Sequence, residues 1–318
     1  MPMEAPSAEE TASQPRFTVV IPTFNRRDAV VEAVRSALDQ SIRDIEVIVV
    51  DDGSSDGTAS AVAAIGDERL HVIVQPNAGA SAARNRGIAY ARGRYVAFLD
   101  SDDRFFPDHL EDLLPLLEQG QDVVAYSRVV VDRGAGRHFL KPHRAIEAGE
   151  GVDRYLMCDR GFIQTSSVAL ARTFADQVRY REDVRFGDDT DFAVRLSLAG
   201  GRFLMAPRAT VLWADGHTEN RLSQIRASVG NLAWLRDLKP YISANAYDAY
   251  LGWHAAKSVW PTSRRTAMRY YFDAVRGGAF RPRLAAIVLL QIVVPDNLYR
   301  QAANRWIALT NRLKGARI

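Results

Sequence analysis

Residues 95–103 read Tyr95-Val-Ala-Phe-Leu-Asp-Ser-Asp-Asp103, five apolar residues running directly into three carboxylates. Carboxylates this close together, just past the end of a buried strand, can hold a hard divalent cation against a diphosphate. Three earlier runs, Phe17 to Ile21, Ile45 to Val50 and Leu70 to Val74, also end in polar, turn-forming or acidic residues. Helical patterns separate the four. Asp28 to Gln40 sets Val30, Val31, Val34, Ala37 and Leu38 on one side, and Asp56 to Ile65 and Ala80 to Arg92 fill the other two intervals. Strand and helix alternating in this way predict a parallel sheet with helices on both faces. The unbroken Val47-Ile-Val-Val50 fits a strand buried on both sides.

Past Pro107 the rhythm changes. A helix to about Leu117, a β-like run from Asp122 to Val131 and a Gly-, Arg- and His-rich loop from Arg133 to Gly151 come first. A strand-like Thr165 to Leu170, a helix from Asp188 to Leu198 and short strands at Arg202 to Met205 and Thr210 to Trp213 follow. This half is expected to add mixed or antiparallel strands and the acceptor side of a cleft. From Arg221 onward the pattern is mainly helical. The expected division is a disordered leader over 1–16, a catalytic domain over 17–220 split at 107/108 into nucleotide and acceptor halves, and a basic helical region over 221–318.

Bulk composition fits a soluble globular chain: 318 residues, 47% hydrophobic and 25% charged, can bury one large core. The single cysteine, Cys158, excludes an internal disulfide and suits a reducing, cytoplasmic compartment. Residues 1–16 are rich in Ala, Ser, Glu and Pro and lack the apolar core of a signal peptide. Net charge is +3, unevenly spread: residues 221–318 hold 16 Lys and Arg against 4 Asp and Glu, a net +12, leaving −9 on residues 1–220. A basic tail of this kind suits contact with a polyanion or an anionic membrane surface, or is a solvated basic face with no partner. No aromatic-interleaved pattern points to nucleic acid.

In open parallel sheets ligands bind beyond the carboxyl ends of the strands. Pro22, Thr23 and Asn25 fall there after the first strand, Asp51 and Asp52 after the second, Gln75 and Asn77 after the third, and Asp100, Asp102 and Asp103 after the fourth. Taken singly, an Asp or Asn after a strand usually caps the next element. Their recurrence at one sheet edge points to one cleft. There is no G-x-G-x-x-G after the first strand and no G-x-x-x-x-G-K-[ST] anywhere, so phosphate must be neutralised by a cation and side chains. Asp100-x-Asp102 supplies a cation site and Arg84 a fixed positive charge.

Ile21-Pro-Thr-Phe-Asn25, Val50-Asp-Asp-Gly-Ser-Ser-Asp-Gly-Thr58, Gln75-Pro-Asn-Ala-Gly79, Ala83-Arg-Asn-Arg-Gly87 and Phe98-Leu-Asp-Ser-Asp-Asp103 occur in this order. Together they resemble the consecutive motifs of the family 2 glycosyltransferases, inverting enzymes of the GT-A fold, a Rossmann-like and mostly parallel central sheet flanked by helices. The match is strong from Phe17 to Pro107 and looser to about Ser223. The resemblance implies that Asp52 accepts from the uracil N3–H of a UDP-sugar, with Pro22 and Thr23 beside the base. It implies further that Asp100 lies near the ribose, that Asp102 binds the Mn²⁺ or Mg²⁺ bridging the diphosphate, and that Arg84 stands near the nucleotide.

Inverting transfer also needs a base to take the proton of the attacking hydroxyl. Phe186-Gly-Asp-Asp-Thr-Asp-Phe192, followed by Arg195, resembles the family's Glu-Asp motif with its downstream arginine, Asp188 standing where Glu is commoner. Asp189 aligns with the base, and which of the pair acts is left open. Both also sit where a helix begins, a position that favours acidic residues. The segment Asp215-Gly-His-Thr-Glu-Asn-Arg-Leu-Ser223 resembles the family's late His/Arg/Ser loop, and the resemblance implies that His217, and likewise Arg221, is a metal ligand or a diphosphate contact.

Leu284 to Val294 is an apolar run too short to span a bilayer. Leu298, Ala302, Trp306, Leu309 and Leu313 then fall on one helical stripe among Arg300, Arg305, Arg312, Lys314 and Arg317, with Ile307 off it. Such a stripe lies in a membrane interface or packs on the catalytic domain or on another subunit. The whole reads as a metal-dependent inverting glycosyltransferase of the exopolysaccharide or surface-polysaccharide type. It is expected to move sugar from a UDP-sugar to a glycan hydroxyl, as on a lipid-linked oligosaccharide, at the inner face of the cell membrane. A sugar nucleotidyltransferase would open with a Gly-rich basic loop, which Pro22-Thr-Phe-Asn25 is not. A non-catalytic glycan-binding module would not need both Asp102 and Asp189.

Overall fold

A computed structural model describes residues 14–216 and 232–313 of the chain. Nine strands form one sheet among these residues: β1 (Phe17–Thr23), β2 (Ile45–Asp51), β3 (Leu70–Val74), β4 (Tyr95–Phe98), β5 (Arg104–Phe105), β6 (Val123–Asp132), β7 (His138–Lys141), β8 (Val168–Ala171) and β9 (Arg202–Ala214). Their order is β3-β2-β1-β4-β8-β6-β9-β5, with β7 added beside β6. The first four are mutually parallel, and β8, β5 and β7 run against the six others. The parallel first half and mixed second half are as the sequence pattern predicts.

The helices that frame the sheet are α1 (Arg27–Leu38), α2 (Thr58–Ala63), α3 (Ala80–Tyr90), α4 (His109–Leu117), α5 (Val152–Cys158), α6 (Arg172–Val178) and α7 (Asp188–Leu198). α1 buries Val30, Ala33, Val34, Ala37 and Leu38, the i, i+3, i+4, i+7 spacing of an amphipathic helix. All seven residues of β1 and of β2 are buried. Val47 and Val49 belong to the main core, while Ile48 and Val50 cluster with Ala83 of α3, so β2 is covered on both faces. A Cβ on Gly87 would meet Val20 at 2.3 Å, so only glycine lets α3 lie this close to β1.

Several elements depart from the sequence pattern. The loop expected over 133–151 contains β7, paired to β6 from Val129 to Asp132. The two short strands expected near 202 and 210 are one strand, β9, carried through by a register irregularity opposite Tyr126 and Arg128. Thr165–Ser167 forms a 3₁₀ turn before β8 rather than its first half. The last residues assigned to a disordered leader are tied down, because Arg94 and Tyr95 donate their N–H groups to the carbonyls of Pro15 and Arg16.

Six α-helices follow among the described residues after 231: α8 (Ala233–Leu238), α9 (Ala244–Tyr250), α10 (Ala256–Val259), α11 (Arg264–Arg276), α12 (Pro282–Val293) and α13 (Asp296–Leu313), with a π-helical turn over Leu251–Ala255 joining α9 to α10. The expected boundary at 220/221 lies outside the described residues. These helices have no core to themselves. Trp234, Leu235, Tyr250, Tyr271 and Leu284 pack in one cluster with Met157, Val184 and Val194 of the acceptor half. The apolar run near 284–294 is part of that cluster, with Leu284, Ala285, Val288 and Ile292 buried, and no described helix is long and apolar enough to cross a membrane.

α13 is docked in the reverse sense. Its polar residues face the chain: Arg133 donates to Asn304 Oδ1 at 3.2 Å, Asn311 donates to the carbonyl of His138 at 2.9 Å, and Arg300 bonds Asp215. Leu298, Trp306 and Leu309 are left 52%, 68% and 51% exposed, whereas Ile307 is half-buried.

Candidate active site

The carboxyl ends of β1, β2 and β4 and the first turn of α7 converge on one cleft. Asp52 is buried and its N–H donates to the Thr23 carbonyl at 2.9 Å, joining the first two strand ends. Its carboxylate accepts from Gln75 Nε2, Ala78 N and Gly79 N, each at 2.8 Å. It thus clamps the third loop against the second, with three of its acceptor positions engaged there. Asn25, with φ of 50°, accepts from Ser55 N at 2.9 Å through Oδ1, and its own N–H donates to Ser54 Oγ at 2.8 Å. The Thr23 hydroxyl is buried without a hydrogen-bond partner at the end of β1, beside Pro22.

Arg84 is the fixed positive charge of the site. It donates to Asp100 at 2.8 Å and to Asp188 at 2.7 Å, and its guanidinium lies over the Tyr180 ring, 5.1 Å from the centroid. Burial works against its charge, but the two carboxylates outweigh burial and hold it ionised. Neighbouring Asn85 ties α3 to the acceptor half through the Tyr180 backbone and Glu182.

The three carboxylates after β4 have different surroundings. Asp103 is buried and accepts from Gln164 Nε2 at 2.6 Å, Ser166 Oγ at 2.7 Å and Ala214 N at 3.2 Å. Burial, then Asp102 and Asp100, raise its pKa well above the ordinary carboxylate value, so it braces the loop rather than facing a ligand. Asp102 faces Arg26, 2.6 Å from Nη1. Among the described residues no three His, Cys, Asp or Glu side chains form a ready cage for a metal. A magnesium-like ion bound chiefly through substrate phosphates and water needs only one or two protein carboxylates, and Asp102 with Asp100 fit that donor set.

At the start of α7 the paired carboxylates are unequal. Asp188 is tied to Arg84, whereas among the described residues Asp189 accepts only from Thr190, N–H at 2.7 Å and hydroxyl at 3.3 Å. Asp189 lines a small, partly open pocket with Thr165, Tyr180 and Phe192. Burial first, and the charge of Asp188 second, push its pKa up to about 6. Gly187, at φ +80°, turns the chain into α7, and a Cβ there would lie 2.9 Å from the Tyr250 hydroxyl and 3.2 Å from Trp234. The C-terminal helices therefore lie against the turn that leads into the two carboxylates of α7.

The structure brings together Pro22, Thr23, Asn25, Asp52, Arg84, Asp100, Asp102, Asp188 and Asp189. Arg195 is not with them. It is held one turn along α7 by Asp191 at 2.8 Å and the Val178 carbonyl at 2.7 Å, where it braces the helix. His217 and Arg221 lie outside the described residues. Sequence reasoning missed Arg26, Gln164, Ser166 and Tyr250. Arg26 adjoins a quoted motif, but the other three carry no local signal, because contacts distant in sequence bring them in.

The sequence matches the model of the glycosyl transferase family 2 over residues 18–179. It is 30% identical over 251 residues to the amylovoran biosynthesis glycosyltransferase AmsB of Erwinia amylovora, covering 74% of this chain and 82% of that protein. It is 32% identical over 210 residues to the succinoglycan biosynthesis protein ExoO of Rhizobium meliloti, covering 63% and 60%. Among solved structures, TarS of S. aureus in complex with UDP-GlcNAc superposes with a TM-score of 0.63 at 17% identity, over 87% of this chain and 81% of that one. The fold is thus GT-A, with additional helices at the C-terminal end. The chain belongs to glycosyl transferase family 2, and it is a glycosyltransferase.

Proposed function

We propose that this glycosyltransferase acts in polysaccharide biosynthesis, inverting the anomeric centre as it moves a sugar from a UDP-sugar to a hydroxyl of a growing, lipid-linked glycan. The observation that carries the reading is the separation of Asp188 from Asp189 by Arg84. With Asp188 committed to an ion pair, Asp189 is the carboxylate available as a base, at a pKa suited to near-neutral pH. The names of AmsB and ExoO support the biosynthetic setting, and the UDP-GlcNAc complex of TarS supports the donor class.

In this reading the uridine lies across Pro22, Thr23 and Asn25 with Asp52 at the base. Asp100 and Asp102 hold Mn²⁺ or Mg²⁺, which when bound neutralises charge on the diphosphate. Asp189 accepts the proton of the acceptor hydroxyl as its oxygen bonds to the anomeric carbon, and the bond from that carbon to the diphosphate oxygen breaks to release UDP. Arg84 keeps Asp188 and Asp100 in place around the leaving group. His217 and Arg221 are assigned to the metal or the diphosphate on the resemblance of their segment alone.

We further place the enzyme against an anionic membrane at the cytoplasmic face, because α13 turns Leu298, Trp306 and Leu309 outward within a region of net charge +12. A panel of nucleotide sugars tests the donor assignment, read by thermal shift with Mn²⁺ and by released UDP. A UDP-sugar should raise Tm with concentration and yield UDP when an acceptor is present. A shift with guanosine- or thymidine-linked sugars alone would overturn the donor assignment.

A further inference from the structure

We propose that Arg128, Lys141 and Arg160, with the rings of Phe162 and Trp213, form an acceptor subsite for a sugar that carries an oxyanion, either a phosphate or a carboxylate. The inference rests on the glycosyl-transfer reading and deepens it by naming the chemistry of the acceptor.

Phe162 and Trp213 pack with ring centroids 5.1 Å apart, and Lys141 Nζ lies 4.6 Å and 5.6 Å from the two rings. Both rings are half-buried, so part of each remains open to a sugar face. Each stands beside the acidic loop. Trp213 precedes Ala214, whose N–H donates to Asp103, and Phe162 lies two residues before Gln164, which donates to the same carboxylate. Across the sheet the group lies on the β8-β6-β9 side of β4, away from the loops after β2 and β3.

Among the described residues no carboxylate forms an ion pair with Arg128, Lys141 or Arg160, whereas the neighbouring Arg133 and Arg144 each have such partners. The acid that acts on Lys141 is Asp215, and it is already engaged by Arg133 at 2.8 Å and by Arg300. Arg128 Nε is buried without a partner, and Arg160 is held at a positive φ of 55°, a strained backbone for a non-glycine residue. Burial, then Arg160, push the Lys141 pKa down to about 8, and His143 is lowered by burial and then by Arg160, Lys141 and Arg128. Cations crowded together with no ion pair of their own beside an aromatic pair match a ligand that brings both a ring and a negative charge.

Ligand-observed NMR tests this with the full chain saturated with UDP and Mg²⁺. The probes are α-D-glucose 1-phosphate, methyl glucuronide and, as the neutral control, methyl glucoside. At least one anionic probe should bind at least about tenfold more tightly than the glucoside. That preference should vanish in Arg160→Gln, an exposed position, and in Lys141→Met, with UDP affinity unchanged. Binding of the phosphate alone identifies a phosphate-linked acceptor, binding of the glucuronide alone an acidic sugar, and binding of both the shared oxyanion chemistry. Equal binding of all three probes, absence of anion binding to about 10 mM, or full anion affinity in both variants would overturn the proposal. Loss of UDP affinity in the unaltered chain would instead count against the donor reading.

Discussion

The guanidinium of Arg84 lies 2.7 Å from Asp188, a residue 104 positions later, while also holding Asp100 at 2.8 Å. This bond couples the nucleotide half to the first turn of α7 and separates the roles of two adjacent carboxylates. Replacing Arg84 with Ala leaves both carboxylates without their cation. Because each is partly exposed, the loss should be smaller than for a fully buried pair, about 2 kcal/mol of stability, together with weakened UDP binding. Arg84→Lys, which keeps the charge but cannot bond both partners, should recover stability more than activity. Urea unfolding together with UDP titration reads both effects.

Asp189→Asn keeps size and polarity but removes the proton acceptor. Donor affinity should persist while transfer falls by about 10²-fold or more. Activity near that of the unaltered enzyme would move the base elsewhere.

The raised pKa of Asp189 predicts an acid limb in kcat/KM near pH 6, with activity lost as pH falls below it. Asp188→Asn removes the neighbouring charge, so the limb should move to lower pH. The same shift bears on stability. Folding raises this pKa from 3.8, so ionising Asp189 costs the folded state stability as pH climbs from about 4 to about 6, and above that the cost is constant. Asp189→Asn should therefore raise Tm at pH 7.5 and leave it nearly unchanged at pH 4.

If Asp102 holds the cation, EDTA and Asp102→Ala should each abolish metal-dependent UDP binding with the fold retained, as calorimetry and circular dichroism will show. UDP affinity unaffected by EDTA would return Asp102 to its partner Arg26 as a purely structural ion pair.

At the tail, replacing Leu298, Trp306 and Leu309 together by Gln should cut binding to anionic vesicles at least about tenfold, since each fully buried apolar side chain contributes about 1.5–3 kcal/mol. UDP binding should be unchanged. Removal of residues 281–318 is expected to unfold the protein instead, because α12 supplies four buried residues to the second core.

The strand-helix alternation, the cleft at the strand ends and the family motifs were legible along the chain, because each depends on neighbours within a few residues. Val30, Ala33, Val34 and Ala37 bury one face of α1 by spacing alone, and Asp100 to Asp103 follow β4 wherever β4 lies. Tertiary structure decided the rest. Resemblance aligns Asp189 with the base but leaves open which of Asp188 and Asp189 acts, and their surroundings differ because α3 brings Arg84 to one of them. Asp103 resembles its neighbours until Gln164, Ser166 and Ala214 take up its oxygens. The apolar run in α12 and the stripe on α13 look equally suited to burial. One is buried because Met157, Val184 and Val194 complete its core, and the other is exposed because polar bonds to Arg133, His138 and Asp215 dock the opposite face.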